Sequence, residues 1–116
     1  MDAALIYKWN ATVPGREAAG LQLMKEVNEF CEKAIAEGQI TSYDWYLPAG
    51  PGWSLLVVHG EWASLQTLVA MPEMQMLNMR SALVNEGLEW GFFGRGDAIE
   101  PIMGVYGAAV AQVTKT

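Results

Sequence analysis

The amino-acid sequence predicts an α+β domain: four antiparallel strands backed by two long helical stretches, with one more helix at the C-terminal end. Three observations carry this reading. The runs Leu5-Ile6-Tyr7-Lys8-Trp9 and Leu55-Leu56-Val57-Val58-His59 read as strands that are apolar on both faces, the pattern of strands covered front and back. Residues 16–37 and 62–86 place apolar side chains at helical spacing. The resulting order is β-α-β-β-α-β, with no internal repeat and no linker.

Each element follows from its residues. Ala3, Leu5, Tyr7 and Trp9 alternate with Ala4, Ile6, Lys8 and Asn10, the period of a strand. Thr12-Val13-Pro14-Gly15 then breaks it, with Pro14 fixing φ ahead of the helix. From Arg16 to Glu37, Leu23, Met24, Val27, Phe30, Cys31, Ala34 and Ile35 share one helical stripe. Lys25, Glu29 and Lys33 line the other side at four-residue intervals. Gly38 closes the helix, because glycine takes the left-handed conformation without steric cost.

Ile40–Leu47 and Trp53–Gly60 form a hairpin around the turn Pro48-Ala49-Gly50-Pro51-Gly52. In its simplest register Thr41 lies near His59. Tyr43 and Trp45 then share a face with Leu55 and Val57, while Ser42, Asp44 and Tyr46 join Leu56 and Val58 on the other. Trp62 to about Ala70 is a short helix, and Met71-Pro72-Glu73 marks a restart with proline at the first helical position. Met74–Glu86 continues as helix and closes at Gly87. Leu88–Arg95, with Trp90, Phe92 and Phe93, is the last strand, and Gly94-Arg95-Gly96-Asp97 the turn after it. From Pro101 onward, Ile102, Met103, Tyr106, Ala109, Val110 and Val113 recur at helical spacing. Gly104 and Gly107 cost that helix roughly 1 kcal/mol each, so it needs a surface to dock on.

Right-handed crossovers place both helical stretches on one face of the sheet, with the first and third strands in the middle. This order, the Gly38–Tyr46 stretch and the Met71-Pro72-Glu73 break resemble the dimeric α/β-barrel superfamily, whose protomer is ferredoxin-like. The resemblance covers residues 3 to about 95. It implies a ferredoxin-like β-α-β-β-α-β antiparallel sheet, to which the sequence appends a C-terminal helix, and two copies that pack sheet on sheet as a dimeric α/β barrel. It also implies a pocket between each sheet and its helices, or within the joint barrel. Residues 1–116 are one domain, 3–97 the core and 98–116 the C-terminal helix and tail, which lies outside the resemblance.

Composition points the same way. Charged residues make up 17% of the chain, against about 25% in an ordinary domain, so less surface is kept wet than a monomer would keep. A homodimer is expected. A net charge of −6 with no Lys/Arg cluster argues against nucleic acid and anionic lipid as partners. No apolar run approaches the ~20 residues of a membrane span, the N-terminus lacks the pattern of a signal peptide, and the lone Cys31 reads as a buried thiol in a reducing compartment. The expected location is cytoplasmic.

Histidine is the residue type best suited to exchange protons near neutral pH, which makes His59 the first catalytic candidate, with Tyr46 and Asp44 as possible companions. The simple hairpin register turns Asp44 away from His59. Tyr7, Trp9, Tyr43, Trp45, Trp53 and Trp90 lie on expected strands and could wall a flat apolar ligand. The same rings also fit a core, and the two readings are not exclusive. Arg80 could clamp a ligand carboxylate, or pair with Glu73, Glu86 or Glu61. One Cys and one His cannot supply a zinc site. Phosphate-loop, dinucleotide and nucleophile-elbow patterns are absent, so no metal and no cofactor are expected.

Two functions survive: binding of a small apolar or aromatic metabolite in a cavity next to the sheet, or a cofactor-independent monooxygenase, isomerase or cyclase acting on a small aromatic substrate. The second is what the resemblance implies. The asparagine, tryptophan and histidine set of the antibiotic-biosynthesis monooxygenases is not matched in order or spacing.

Overall fold

The computed structural model describes residues 1–114. Strand β1 (Asp2–Trp9) pairs antiparallel with β4 (Ser54–Glu61) at the centre of a four-stranded sheet. Strand β3 (Ser42–Tyr46) lies outside β4, and β6 (Glu89–Gly94) outside β1. Two-residue strands β2 (Ala11–Thr12) and β5 (Asn85–Glu86) form a small separate ribbon. The helices are α1 (Glu17–Ala36), α2 (Trp62–Ala70), α3 (Pro72–Val84) and α4 (Ile99–Thr114), with a 3₁₀ turn at Gly96–Ala98 leading into α4. The expected order holds, and the two strands with apolar residues on both faces are the central pair.

Burial sorts the residues by face. Ala3, Leu5 and Tyr7 of β1 and Leu56 and Val58 of β4 pack under Leu23, Val27, Phe30, Cys31 and Ala34 of α1. Leu65 and Leu68 of α2 and Met74, Leu77 and Val84 of α3 complete the same cluster. Gly38 takes φ +74 at the end of α1, as expected of its C-cap. Pro72 opens α3, where its missing N–H costs nothing. Helix α3 ends two residues earlier than its periodicity suggests, because Asn85 and Glu86 pair with Thr12 and Ala11 instead.

The hairpin register differs from the simple one by a single residue. Ser42 faces His59 and Tyr46 faces Leu55. Tyr43 and Trp45 therefore point to the helix side with Val58 and Leu56, while Ser42, Asp44 and Tyr46 share the opposite face with Leu55, Val57 and His59. A one-residue slip exchanges every side chain between faces. The observed register brings two aromatic rings to the core and leaves a serine and a carboxylate outside, which is the cheaper arrangement.

The opposite, open face carries Ala4, Ile6 and Lys8, Leu55, Val57 and His59, Ser42, Asp44 and Tyr46, and Glu89, Gly91 and Phe93. None of the helices' buried residues packs there. Ile6, Leu55 and Val57 stay half-buried, and Phe93 and Tyr46 are exposed. Helix α4 projects from the body. The radius of gyration is 16.6 Å and the longest extent 53 Å, against about 13 Å expected for the radius of a compact chain of this length.

Candidate functional site

A cavity of about 280 Å³ lies between the helix side of the sheet and helices α1 and α3. Tyr7 and Trp9 of β1, Trp45 of β3 and Leu56 of β4 form its floor. Leu23 and Val27 of α1 and Leu77, Asn78 and Ser81 of α3 form its walls, and the exposed Leu21 marks where it meets solvent. Thr12 and Asn85, paired in the small β2–β5 ribbon, also line it.

Its polar groups are tied down. The Tyr7 hydroxyl donates to Asn78 Oδ1 at 2.7 Å, and burial pushes that phenol well above its ordinary range. Trp45 Nε1 donates to Asn28 Oδ1 at 2.7 Å, and Ser81 Oγ donates to the Leu77 carbonyl at 2.8 Å. Among the described residues no buried side-chain nitrogen or oxygen lacks a partner. The rings are mutually braced as well. Trp9 and Trp45 meet edge to face at 6.0 Å, and Trp90 stacks on Tyr7 at 5.7 Å. The result is a preformed, mostly apolar chamber.

The ten residues singled out from the sequence divide between the two sides of the sheet. Tyr7, Trp9 and Trp45 line the cavity, and Trp90 supports Tyr7. Tyr43 faces the helix side but opens onto a shallow depression with Asn28, Glu29 and Glu32. Burial, followed by the charge of Glu32, raises its phenol. Trp53 sits over the Lys8 ammonium at 4.7 Å, on the open side. Arg80 grips Glu26 with two bonds of 2.9 and 2.6 Å, so its partner is none of the three carboxylates expected. That guanidinium holds the Glu26 carboxyl below its usual range.

His59, Asp44 and Tyr46 share the open face, with Tyr46 opposite Leu55 and farther along the strands from His59, and the observed register is what turns Asp44 toward the imidazole. His59 Nε2 is 3.6 Å from Asp44 Oδ2. Arg95 Nη1 donates to His59 Nδ1 at 2.5 Å, which assigns the ring proton to Nε2. Arg95 also pairs with Asp2 at 3.2 Å. Among the described residues no group of three or more His, Cys, Asp or Glu side chains is placed to hold a metal, and no helix is long and apolar enough to cross a membrane.

Sequence reasoning missed Asn28, Asn78, Ser81 and Arg95. Asn78 and Ser81 carried a signal: both fall on the α3 stripe set by Met74, Leu77 and Val84. A polar residue on an inner stripe needs a partner there. Arg95 carried none, since only the fold brings the turn after β6 beside His59.

No family profile matches the chain, and no curated protein matches it. Solved structures do. A dimeric ferredoxin-like protein of unknown function from Jannaschia sp. matches over 82% of this chain and 100% of its own, at 8% identity and TM-score 0.66. SnoaB, a cofactor-independent oxygenase from Streptomyces nogalater crystallised as a mutant, matches over 84% and 96%, at 10% identity and TM-score 0.65. A dimeric protein of unknown function and ferredoxin-like fold from Bacteroides fragilis matches over 81% and 96%, at 17% identity and TM-score 0.58. Nearly the whole of each neighbour is used, and a segment of this chain is left over. The chain has a ferredoxin-like fold.

Proposed function

We propose that this protein binds a flat, largely apolar small molecule between its sheet and helices, and that it does so as a homodimer. The observation that carries the reading is the cavity of about 280 Å³ walled by Tyr7, Trp9 and Trp45. An engineered apolar cavity of about 150 Å³ holds a benzene molecule, so this one has room for a one- or two-ring compound. Aromatic walls favour a planar ligand, and Asn78 and Ser81 supply a small polar edge for orientation. The half-buried Ile6, Leu55 and Val57 on the open face, together with the dimeric neighbours, support pairing of two sheets.

Binding is favoured over turnover by what surrounds the chamber. Of the two ionisable side chains that line it, Tyr7 is held neutral by burial and spends its proton on Asn78, and Glu17 is exposed and accepts from the Gly15 N–H. His59 and Asp44 stand on the other side of the sheet. The oxygenase, isomerase or cyclase reading therefore requires a substrate between two apposed sheets, with His59, Asp44 and Tyr46 moving the proton. The His59–Asp44 approach of 3.6 Å is the observation in its favour.

A thermal-shift screen of aromatic acids, quinones and haem separates the two. It is run on the native chain, on Met24→Trp, which fills the cavity, and on His59→Ala. A shift lost in Met24→Trp and kept in His59→Ala supports the cavity. The reverse moves the site to the open face. A screen in which no compound raises the melting temperature overturns the binding reading.

A further inference from the structure

Helix α4 needs a docking surface, and its own subunit does not provide one. It carries a single charge, Glu100, in the sixteen residues Ile99–Thr114, and none of those residues is buried. Ile99, Ile102, Met103, Tyr106 and Val110 fall at i, i+3, i+4, i+7 and i+11, which is one stripe of a helix. They stand 41–63% exposed. The helix is seated through its base, where Ala98 is fully buried and Ile102 lies so close to Gly94 that a methyl group there would collide with it. From that seat it leaves the end of β6, an edge strand.

The chemistry of the stripe selects its occupant. A membrane-surface helix carries Lys and Arg beside its apolar face. None is present between Ile99 and Thr114, and the chain bears a charge of −6. A second copy of the chain instead offers a helix with no basic residue and a sheet face with an apolar centre that also lacks a cover.

We propose that α4 is an exchanged arm: it crosses to a second copy of this chain and packs its Ile99–Val110 stripe there, extending the contact made by the two open sheet faces. This rests on the homodimer reading given above. Area is the argument. Four strands about 4.8 Å apart and paired over five or six residues project roughly 300 Å². An arm about 24 Å long and about 10 Å wide projects roughly 240 Å². Neither surface alone approaches the ~800 Å² per partner of a stable pair. In a two-fold pair each copy gives one arm and receives one, so the arm counts twice and the total comes close to that figure.

The test uses the full chain with Tyr106 replaced by a photoreactive benzoylphenylalanine. Isotope-labelled and unlabelled copies are mixed in equal amounts and irradiated. The expected products join position 106 of one isotope to the body of the other. In parallel, Met103→Asp with Val110→Asp is expected to raise the dimer dissociation constant at least tenfold by sedimentation, with the circular dichroism of the folded body unchanged. Cross-links confined to one isotope, no cross-links, or an unaltered dissociation constant would each overturn the arm while leaving the homodimer standing. A native chain that stays monomeric at micromolar concentration overturns both.

Discussion

Cys31 sits on the inner stripe of α1 at 4% exposure, and burial pushes its thiol from 9.0 up to about 12. Such a thiol is inert, so it should resist thiol reagents in the folded chain and react at once when denaturant is added. The same shift has a consequence for stability. Burial favours the neutral thiol, so the folded chain keeps its proton after the unfolded chain has released it. The contribution is whole below pH 9 and is lost as the pH climbs toward 12, at up to about 1.4 kcal/mol per pH unit. Denaturant titrations of native protein and Cys31→Ala from pH 8 to 10 should show a steeper alkaline decline in the native chain. Packing gives a larger effect. Leu65 is 0% exposed among Ile40, Leu68 and the central strands, so Leu65→Ala should cost about 3 kcal/mol by urea unfolding. An effect under 1 kcal/mol would mean the site collapses around the loss.

Elements follow from these residues with uneven fidelity. Helix α1 is what its stripe predicts, although Ile35 reaches the stripe's edge and is 36% exposed. The hairpin is set by which side chains the core accepts, not by the length of its proline-rich turn. Helix α4 illustrates propensity without packing. Gly104 and Gly107 have nothing within 4 Å of an added methyl; Gly104 lies away from the Ile99–Val110 stripe and Gly107, four residues after Met103, lies at its edge. Replacing both by alanine should favour the helix by about 1 kcal/mol each. Slower amide exchange over residues 99–114, with the rest of the chain unchanged, is the expected readout. Gly94→Ala should act in the opposite sense, because its methyl group evicts Ile102 from the seat of the helix.

At the scale of the whole molecule the sheet is a partition. Its helix side holds a chamber in which, among the described residues, every buried side-chain nitrogen and oxygen has a partner, and its open side holds an apolar centre beside the His59, Asp44 and Arg95 group. Val57 lies opposite Ile6 and Asp44 at the middle of that open face. A charge there should raise the dimer dissociation constant at least tenfold. Val57→Asp compared with native protein by analytical ultracentrifugation checks this. Unchanged association would show that the open faces do not meet.

The sequence by itself determined the element order, the central strand pair, the α1 stripe and the restart at Pro72, because each is written in local periodicity and in the restricted backbone of proline and glycine. It also named Tyr7, Trp9 and Trp45, since aromatic residues on strand positions have few other places to go. Tertiary structure alone decided which side of the sheet each ring faces, that Asn78 answers Tyr7, that Arg80 answers Glu26, and that Arg95 reaches His59. Those pairings join residues 36 to 71 positions apart. They depend on a register in which one residue of slip exchanges the two faces, and nothing in a local stretch of chain fixes that choice. The competition for a single core does.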